Sequence, residues 1–329
     1  MGAVETRTVG ADEAEVRLDR WFRRHFPEIG HGRLQKLLRT GQVRIDGRRA
    51  QANARLSPGQ TVRVPPLPAG QAPVEPARAV PDRVDPADAR WLRSRLLFED
   101  HALMVLGKPA GLAVQGGTGT RRHVDGMLQA LAADGERPRL VHRLDRDTSG
   151  LLVIARTAAA AAKLTAAFRR HQVDKLYWAL VVGRPPAAQG RIDRPLAKQP
   201  GRGGERVAAS AGGAVAQTDY RVVARAGKVA AWLALKPLTG RTHQLRAHCA
   251  LLEVPIIGDG KYGGAAAHPP GVPKGLMLHA REIRLPHPDG GVLELSAPLA
   301  PTILAGFAWL GFEPDPSLPG ARLADFDRP

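Results

Sequence analysis

The chain has 329 residues, of which 43% are apolar, and its 48 Lys and Arg against 31 Asp and Glu give a formal net charge of +17. This length predicts about two domains, each able to bury a core. The single Cys249 excludes an intramolecular disulfide bond, and the sequence contains no apolar run of the roughly 18 residues that a membrane-spanning helix needs. Thirty-nine of the basic residues are arginine, which suits phosphate contact, so the charge predicts a polyanionic partner such as nucleic acid.

Basic charge is concentrated near the N-terminus, after a short acidic segment at residues 1–16 that we expect to be loose or at a sheet edge. Residues 17–63 contain twelve Arg or Lys and three Asp or Glu, a net charge of +9. Their apolar spacing predicts two helices, the first with Trp21 and Phe22 in the core, then a strand that runs into an Asp-Gly turn and a second strand. We therefore expect a small basic domain at residues 17–64.

A proline-rich stretch separates this domain from the rest of the chain. Residues 65–86 carry seven prolines, which favour a semi-extended linker, and we place the linker at residues 65–94. The second domain is expected at residues 95–312 and a frayed, Pro- and Asp-rich tail at residues 313–329. Its expected elements are a β-hairpin, several apolar strands, helices between them and a closing helix, so the whole chain is of the α+β class.

The most informative stretch lies near the middle of the chain, directly before the apolar run at residues 151–155 that predicts a buried strand. It reads His142-Arg143-Leu144-Asp145-Arg146-Asp147-Thr148-Ser149-Gly150. Its last three residues are typical of a turn, so Asp145 is expected on a loop held by strands. Arg143 and Arg146 would keep that carboxylate ionised near neutral pH, and an ionised Asp can act as nucleophile or base. On charge pattern alone, a surface turn with weak Arg–Asp pairs is the commoner interpretation.

Three further segments place polar side chains beside predicted strands. They read Lys175-Leu176-Tyr177-Trp178-Ala179, then Gly240-Arg241-Thr242-His243-Gln244-Leu245-Arg246-Ala247-His248, and Gly258-Asp259-Gly260-Lys261-Tyr262-Gly263. A turn at Gly240 would place Arg241 at a helix start, aimed at the same site as Asp145. Glycine-rich loops are expected at residues 116–119 and 198–213, and the second is basic enough to touch RNA phosphates.

These segments resemble, in the same order, the motifs of the RluA-type pseudouridine synthases. The central stretch is similar to the family's active-site motif His-Arg-Leu-Asp-x-x-Thr-Ser-Gly, and the next two segments to Lys-x-Tyr-x-Ala and Gly-Arg-Thr/Ser-His-Gln-Ile/Leu-Arg-x-His. Gly107 stands where the family usually has Asn, before a similar Lys-Pro-x-Gly segment. Residues 17–64 resemble the S4 RNA-binding domain, through the segments Arg17-Leu18-Asp19-x-Trp21-Phe22 and Gly41-x-Val43-Arg44-Ile45-Asp46-Gly47.

The resemblance implies a fold and a set of site residues. The fold is a small S4-type RNA-binding domain plus a larger catalytic domain, with a central, mainly antiparallel mixed β-sheet flanked by helices and loops. Asp145 would be the catalytic carboxylate and Arg241 would pair with it. Tyr177 and Leu245 would contact the uracil, and Arg143 would fill the gap that the target base leaves in the RNA. The residues expected to bind RNA in the S4-like domain are Arg33, Lys36, Arg39 and Arg44.

The implied activity is isomerisation of specific uridines in structured RNA to pseudouridine, with no cofactor. The S4-like domain, Val114-Gln115-Gly116-Gly117 and the central stretch favour large-subunit ribosomal RNA, as in the RluC-like branch, with transfer RNA as the alternative substrate. The residues do not distinguish addition of Asp145 to the sugar or the ring from removal of a sugar proton. The alternative functions are a non-catalytic RNA-binding protein and a glycoside-type hydrolase that uses Asp145 and Asp147.

The remaining expectations concern metals, compartment and assembly. His243, His248 and Cys249 lack the spacing of zinc ligands, so we expect no metal. The single cysteine fits a reducing compartment, and the N-terminus carries no apolar signal-peptide region. We therefore expect a cytoplasmic protein that has no membrane partner and acts as a monomer.

Overall fold

The computed structural model describes residues 4–67, 85–117, 120, 122–132, 136–199 and 206–327, apart from the side chain of His31. The chain divides into two compact units, Met1–Arg83 and Val84–Pro329. Parts of five predicted segments lie outside the described residues: 1–3 of the N-terminal segment, 68–84 of the linker, 118–119 of the first glycine-rich loop, 200–205 of the second and 328–329 of the tail. No helix within the described ranges is long and apolar enough to cross a membrane.

The first unit is a four-stranded antiparallel sheet with two helices. Its elements are β1 (Glu5–Thr8), α1 (Leu18–His25), α2 (His31–Arg39), β2 (Arg44–Ile45), β3 (Arg48–Arg49) and β4 (Thr61–Val64). The strand order is β1-β4-β2-β3. Asp46 and Gly47 both have left-handed φ values, 47° and 74°, as a two-residue hairpin turn requires. The predicted order of helices, strands and turn in this segment is therefore confirmed.

Aromatic side chains of α1 and its end form the core of this unit. Trp21, Phe22 and Phe26 are at most 5% exposed, so they are core residues and are not available to stack on bases. The N-terminal segment belongs to the same core, because β1 pairs with β4 and the buried Glu13 carboxylate accepts a hydrogen bond from Trp21 Nε1 at 2.9 Å. The small unit thus begins before the predicted boundary at residue 17.

The second unit is an α+β domain built on one large sheet. Its helices are α3 (Pro86–Arg93), α4 (Val124–Met127), α5 (Ala158–Arg169), α6 (Gln244–Leu251) and α7 (Pro301–Leu310). Its strands are β5 (Leu96–Glu99), β6 (Leu103–Lys108), β7 (Arg139–Leu140), β8 (Ser149–Ala155), β9 (Asp174–Val182), β10 (Gln189–Asp193), β11 (Leu196–Gln199), β12 (Arg206–Ala209), β13 (Gln217–Ala226), β14 (Ala230–Pro237), β15 (Leu278–Pro286) and β16 (Val292–Ser296).

Ten of these strands form the sheet, in the order β10-β13-β14-β9-β15-β8-β6-β5, with β16 paired to β15 and β7 to β8. The pair β8–β15 is parallel and the other described pairs are antiparallel. Trp178 of β9 and Trp232 of β14 meet edge to face at 4.6 Å, and Phe307 of α7 covers them. The predicted α+β fold with a mainly antiparallel mixed sheet is confirmed.

Strands β11 and β12 form a separate two-stranded ribbon, which lies where the sequence predicted a loop at residues 198–213. The predicted loop is therefore wrong for Lys198 and Gln199 and for the residues of β12. Val207 of β12 is buried beside Leu196 and Ala247, so the ribbon has a small apolar contact with α6. That contact explains why a basic, glycine-rich segment forms strands.

The predicted end of the linker at residue 94 is also wrong. Residues Pro86–Arg93 form α3, because the Asp85 side chain caps the helix by accepting a hydrogen bond from Ala87 N at 2.8 Å and Pro86 fits its first turn. Leu92 is fully buried in a cluster that includes Met104 of β6. The linker prediction extended proline-rich composition over a helix that belongs to the second unit.

The predicted frayed tail at residues 313–329 is wrong over its described part. Ala321 and Leu323 are buried, and the Ala321 carbonyl accepts a hydrogen bond from Trp178 Nε1 at 2.8 Å. Asp327 accepts a hydrogen bond from Arg284 Nη1 at 2.6 Å. Proline and aspartate content suggested disorder, but a few apolar and charged contacts fix this segment against the sheet.

Leu92→Ala tests whether α3 belongs to the second unit. We expect the free energy of unfolding to fall by about 2–5 kcal/mol, because a fully buried leucine is lost and leaves a cavity. The measurement is chemical denaturation of the full chain, followed by tryptophan fluorescence. The control is Arg90→Ala on the exposed side of the same helix, which should change the stability by less than about 0.5 kcal/mol. Equal effects for both variants would mean that α3 is only a linker segment.

Candidate active site

A pocket of about 420 Å³ lies at the centre of the large sheet. Its lining comes mainly from the loop that precedes β8, the strand β9, and the segment from the end of β14 into α6, with further residues from the end of α5 and the start of β15. They are neighbours because β9 pairs with β14 on one side and β15 on the other, and β15 pairs with β8. The pocket thereby collects all of the predicted site residues of the second unit: Arg143, Asp145, Tyr177, Arg241 and Leu245.

The loop that carries Asp145 is a tight turn. Thr148 N donates a hydrogen bond to Asp145 O at 3.2 Å, so the turn spans Asp145 to Thr148. The predicted turn at Thr148-Ser149-Gly150 is wrong, since Ser149 and Gly150 already belong to β8. Asp145 is nevertheless displayed at the start of a turn directly before a buried strand, as expected.

Ser149 and Gly150 fasten this turn to β15. Ser149 Oγ lies 2.8 Å from His279 Nδ1, and both residues are buried. Gly150 has φ +109°, and a Cβ atom there would lie 2.2 Å from Ala280 O. Only glycine fits such a close approach of two backbones. The Ser-Gly end of the central stretch therefore sets the position of the loop, and does not take part in a turn.

Lys108 supports the loop that carries Asp145. Its buried Nζ donates hydrogen bonds to the carbonyl oxygens of Pro109, Leu112 and Arg146, at 2.8, 2.9 and 2.9 Å. Burial lowers the pKa of Lys108 to about 8, and the nearby carboxylates of Asp147 and Asp145 oppose that shift. Lys108 thus ties the loop after β6 to the turn that carries Asp145.

His142 fixes the other end of the loop. Its Nε2 accepts a hydrogen bond from Val153 N at 2.8 Å, and its ring stacks on Phe168 with centroids 4.6 Å apart. Burial, together with the nearby Lys175 cation, lowers the pKa of His142 to about 3. His142 is therefore neutral at physiological pH and acts as a support for the loop.

The side chains that face Asp145 come from α6 and its start. The Asp145 side chain is 18% exposed, and its Oδ2 lies 3.8 Å from Arg246 Nη1 and 3.9 Å from His243 Nε2. The predicted pairing with Arg241 is wrong, because Arg241 Nε donates to Val215 O at 2.9 Å. Arg146, the flanking cation, donates through Nε to a backbone carbonyl of the loop after β6 at 3.1 Å.

Arg246 is held by a buried carboxylate. Its Nε and Nη2 donate to the two oxygens of Asp259, each at 2.7 Å, and Asp259 is 1% exposed. Two of the three guanidinium nitrogens are thus occupied by Asp259, and the third faces Asp145. Bidentate pairing fixes the plane of the guanidinium, so its direction towards Asp145 is set before substrate binds. Through this contact, the segment Gly258-Asp259-Gly260-Lys261-Tyr262-Gly263 supports the site.

A polar network shapes the entry to α6. Gln244 Oε1 accepts hydrogen bonds from Thr239 Oγ1 at 2.7 Å and Arg241 N at 3.0 Å, while its Nε2 donates to Gln217 O and Thr218 Oγ1. His243, directly before α6, has a left-handed φ of 51°. The residue with the unusual backbone conformation at the entry to α6 is therefore His243, and not Gly240, where the turn was predicted. His243 and Arg246 are three residues apart, which places both on one helix face. That spacing was the available indication of their shared role, and the sequence reasoning missed it.

Tyr177 and Leu245 form apolar walls of the pocket. Leu245 is 7% exposed, on α6, and Tyr177 lies on β9 in contact with both large core clusters of the sheet. Burial, reinforced by the Asp145 carboxylate, raises the pKa of Tyr177 well above its ordinary value. Its hydroxyl therefore carries a proton at neutral pH. Arg143 and Arg241 are exposed, so both stand where the pocket opens.

The predicted RNA-binding residues of the S4-like domain lie in the first unit. Arg33, Lys36 and Arg39 are exposed on α2, and Arg44 is exposed on β2. Arg44 donates through Nε and Nη1 to the carbonyl oxygens of Gly41 and Gly47, at 3.1 and 3.0 Å. Within the described ranges, no group of three or more His, Cys, Asp or Glu side chains could hold a metal ion.

Asp259→Asn tests how strongly the site depends on the buried pair. We expect the free energy of unfolding to fall by about 3–5 kcal/mol, because a buried guanidinium then lacks its compensating charge. Asp219→Asn is a matched control, since Asp219 also binds an arginine, Arg191, through both oxygens, but that arginine is 55% exposed. The control should cost about 0–1 kcal/mol. If both variants lost the same amount of stability, the buried pair would be no more important for stability than the exposed pair.

A family model described as RNA pseudouridylate synthase matches residues 102–251. Ribosomal large subunit pseudouridine synthase C of Pasteurella multocida is 35% identical over 304 residues, which cover 91% of each chain. RNA pseudouridine synthase 4, mitochondrial, of Arabidopsis thaliana is 37% identical over 294 residues, and the match covers 78% of this chain but 62% of the plant protein.

Among solved structures, human RNA pseudouridylate synthase domain containing 4 is 29% identical. It matches with a TM-score of 0.58, over 69% of this chain and 97% of the human chain. The bacterial relative is identical to this chain at more than a third of the aligned positions, over nine tenths of both lengths. The resemblance of the central and following motifs to the synthases is thus confirmed, and the chain belongs to the RluA-type family of RNA pseudouridine synthases.

Proposed function

We propose that the pocket binds a uridine of large-subunit ribosomal RNA and that Asp145 is the catalytic carboxylate. The observation that supports this most directly is the placement of Asp145. Its carboxylate is partly exposed in the pocket, and its contacts with Arg246 and His243, at 3.8 and 3.9 Å, are too long to be hydrogen bonds. The Asp145 oxygens therefore stay available to a substrate, with the Arg246 guanidinium close beside them.

The proposed reaction, conversion of uridine to pseudouridine, needs few groups from the protein. The bond between ribose C1′ and uracil N1 breaks, the ring turns, and C5 becomes bonded to C1′, while the C5 proton leaves and N1 takes up a proton. An anionic group beside the sugar and an apolar wall that holds the detached ring are the main requirements. Asp145 supplies the first, and Leu245 with the ring of Tyr177 supplies the second. Because the Tyr177 hydroxyl is protonated, we assign it contact with the uracil in preference to proton removal.

Exposed arginines at the opening of the pocket complete the proposal. Arg143 and Arg241 present planar guanidinium groups that can stack on bases or bind phosphates. The target base must leave its stack, which costs a few kcal/mol, and Arg143 could fill the space that it leaves. The hydrolase alternative is not supported, because the chain belongs to a synthase family and Asp147 is 55% exposed, with Arg146 Nε 3.9 Å away.

Asp145→Asn tests the catalytic assignment. We expect loss of detectable pseudouridine formation, at least about 10³-fold, because the amide cannot act as a nucleophile or a base. The measurement is pseudouridine formed in a ribosomal RNA transcript during a fixed incubation. Asp147→Asn is the matched control, two residues away on the same turn, and should keep activity within about threefold. Activity in the Asp145 variant close to wild type would exclude Asp145 as the catalytic residue.

The ribosomal substrate rests on two further arguments. The bacterial relative that covers most of both chains is named for the large ribosomal subunit, and the first unit exposes a row of cations on α2.

Pseudouridine mapping of total RNA from cells that lack the gene, with and without complementation, tests the choice of ribosomal RNA as the substrate. Sites lost only from transfer RNA would keep the chemistry and replace the substrate. The cytoplasmic location and the monomeric state stay predictions.

We propose that the first unit binds RNA through the exposed face formed by Arg33, Lys36, Arg39 and Arg44. In Lys36→Ala/Arg39→Ala, the Kd for ribosomal RNA should rise about tenfold, because two phosphate contacts are lost, and the slope of log Kd against log salt should become smaller. The matched control removes two arginines of the same unit that already face carboxylates, Arg24 near Asp12 and Arg55 near Glu15. Equal weakening by both pairs would point to net charge and not to this face.

A further inference from the structure

Asp145, His243 and Tyr262 form a chain of polar contacts that reaches from the pocket into the structure behind it. His243 Nε2 lies 3.9 Å from Asp145 Oδ2, on the pocket side of the imidazole. His243 Nδ1 lies 3.0 Å from the hydroxyl oxygen of Tyr262, and that oxygen accepts a hydrogen bond from Val207 N at 3.1 Å. The imidazole is therefore contacted at both nitrogens, by a carboxylate on one side and a phenol on the other.

We propose that Tyr262 is a positioning residue that holds His243 as the tautomer with its proton on Nε2, so that an N–H group points at the Asp145 carboxylate. The inference rests on the proposed catalytic role of Asp145. A neutral imidazole has one donor nitrogen and one acceptor nitrogen, so a contact at Nδ1 decides what Nε2 presents. Neither Tyr262 nor its hydroxyl needs to touch the RNA for this role.

The direction of the hydrogen bond follows from what the Tyr262 hydroxyl already accepts. The Val207 N–H occupies one lone pair of the phenol oxygen, and the hydroxyl proton then needs an acceptor. A half-buried hydroxyl that donates to nothing loses free energy, and His243 Nδ1 is within hydrogen-bond distance. Donation to Nδ1 places the imidazole proton on Nε2. The opposite tautomer would direct a nitrogen lone pair at the negatively charged oxygen of Asp145.

Tyr262 is itself rigidly held. The guanidinium groups of Arg206 and Arg246 lie 5.3 and 5.2 Å from the centre of its ring, which is the range of cation–π contact. Its backbone N–H donates to Asp259 Oδ1 at 3.2 Å. Tyr262 is thus held by contacts other than its contact with His243, so its hydroxyl can fix the imidazole in turn.

Burial, assisted by the nearby cations, keeps the His243 imidazole neutral at neutral pH, and a neutral imidazole is the state that has two tautomers. Burial lowers the pKa of His243, the Asp145 carboxylate raises it, and the Arg246 and Lys261 cations lower it again. The Asp259 carboxylate also raises the pKa, and the net result is a pKa of His243 below its ordinary value. At neutral pH His243 therefore contributes a directed N–H dipole beside Asp145, while Arg246 contributes the full positive charge.

The first experiment reads the tautomer directly. In protein labelled with ¹⁵N-histidine, the His243 signals, assigned through His243→Gln, should show Nε2 protonated and Nδ1 unprotonated at pH 7.5. In Tyr262→Phe, which removes the hydroxyl and keeps the ring that contacts the two guanidiniums, the signals of the two nitrogens should move towards those of a mixture of tautomers. Tyr220→Phe, on β13 of the sheet, is the control and should leave the His243 signals unchanged. A protonated Nδ1 in the wild type, or an unchanged tautomer in Tyr262→Phe, overturns the proposal.

The second experiment asks whether Tyr262 acts through His243. Tyr262→Phe should lower kcat on ribosomal RNA about tenfold and leave KM within about twofold, because loss of one hydrogen bond is worth about that factor. Glutamine at position 243 carries its own N–H donor, so His243→Gln should keep more activity than His243→Ala. In the His243→Gln background, Tyr262→Phe should have no further effect. A further tenfold loss there would assign Tyr262 a separate structural role and overturn the proposal.

The two proposals fail separately. Full activity in Asp145→Asn would remove the proposed function, while the tautomer measurement on the wild type would still be valid. An inactive Asp145→Asn variant together with a Tyr262→Phe variant that has the wild-type kcat and tautomer would remove only the role of Tyr262.

Discussion

The site depends on one buried ion pair, between Arg246 and Asp259. Asp259 occupies two nitrogens of the guanidinium at 2.7 Å each and leaves the third directed at Asp145. A free arginine has many rotamers, and ordering it when substrate binds would cost free energy at that step. Here the Arg246 side chain is already ordered in the folded protein. The pocket therefore offers a fixed positive charge beside the Asp145 carboxylate, whose oxygens remain available to a substrate. Asp145 itself needs no strong bond to any neighbour.

The same division between reacting and supporting residues runs through the central stretch. Asp145 faces the pocket, while His142, Ser149 and Gly150 hold the loop through contacts with β8 and β15. In the segment that begins α6, Leu245 and Arg246 line the pocket and Gln244 secures the backbone. Most residues of these two motifs therefore hold the backbone in position, and only a few of them face the pocket.

Sequence reasoning predicted much of this, for physical reasons that also explain its failures. Short apolar runs and helical spacing are local properties, so the strands β8 and β9 and the helices α1 and α5 could be predicted from their own residues. The partner of Asp145 is a long-range property. The resemblance implied Arg241 as the partner, but Arg241 binds a backbone carbonyl, and only the position of Asp259 shows that Arg246 points into the pocket. The linker and tail failed similarly, because composition does not reveal that Leu92 and Ala321 are buried.

The parallel contact between β8 and β15 has a consequence for when the enzyme becomes active. Ser149 meets His279, and Gly150 meets Ala280, across 130 residues of chain. Contacts so distant in sequence form late, because a long loop must close before they are made. During synthesis, the loop with Asp145 leaves the ribosome long before the strand that fixes it. The nascent chain therefore carries Asp145 without a finished pocket, and the pocket is complete only when the C-terminal third of the chain has been made.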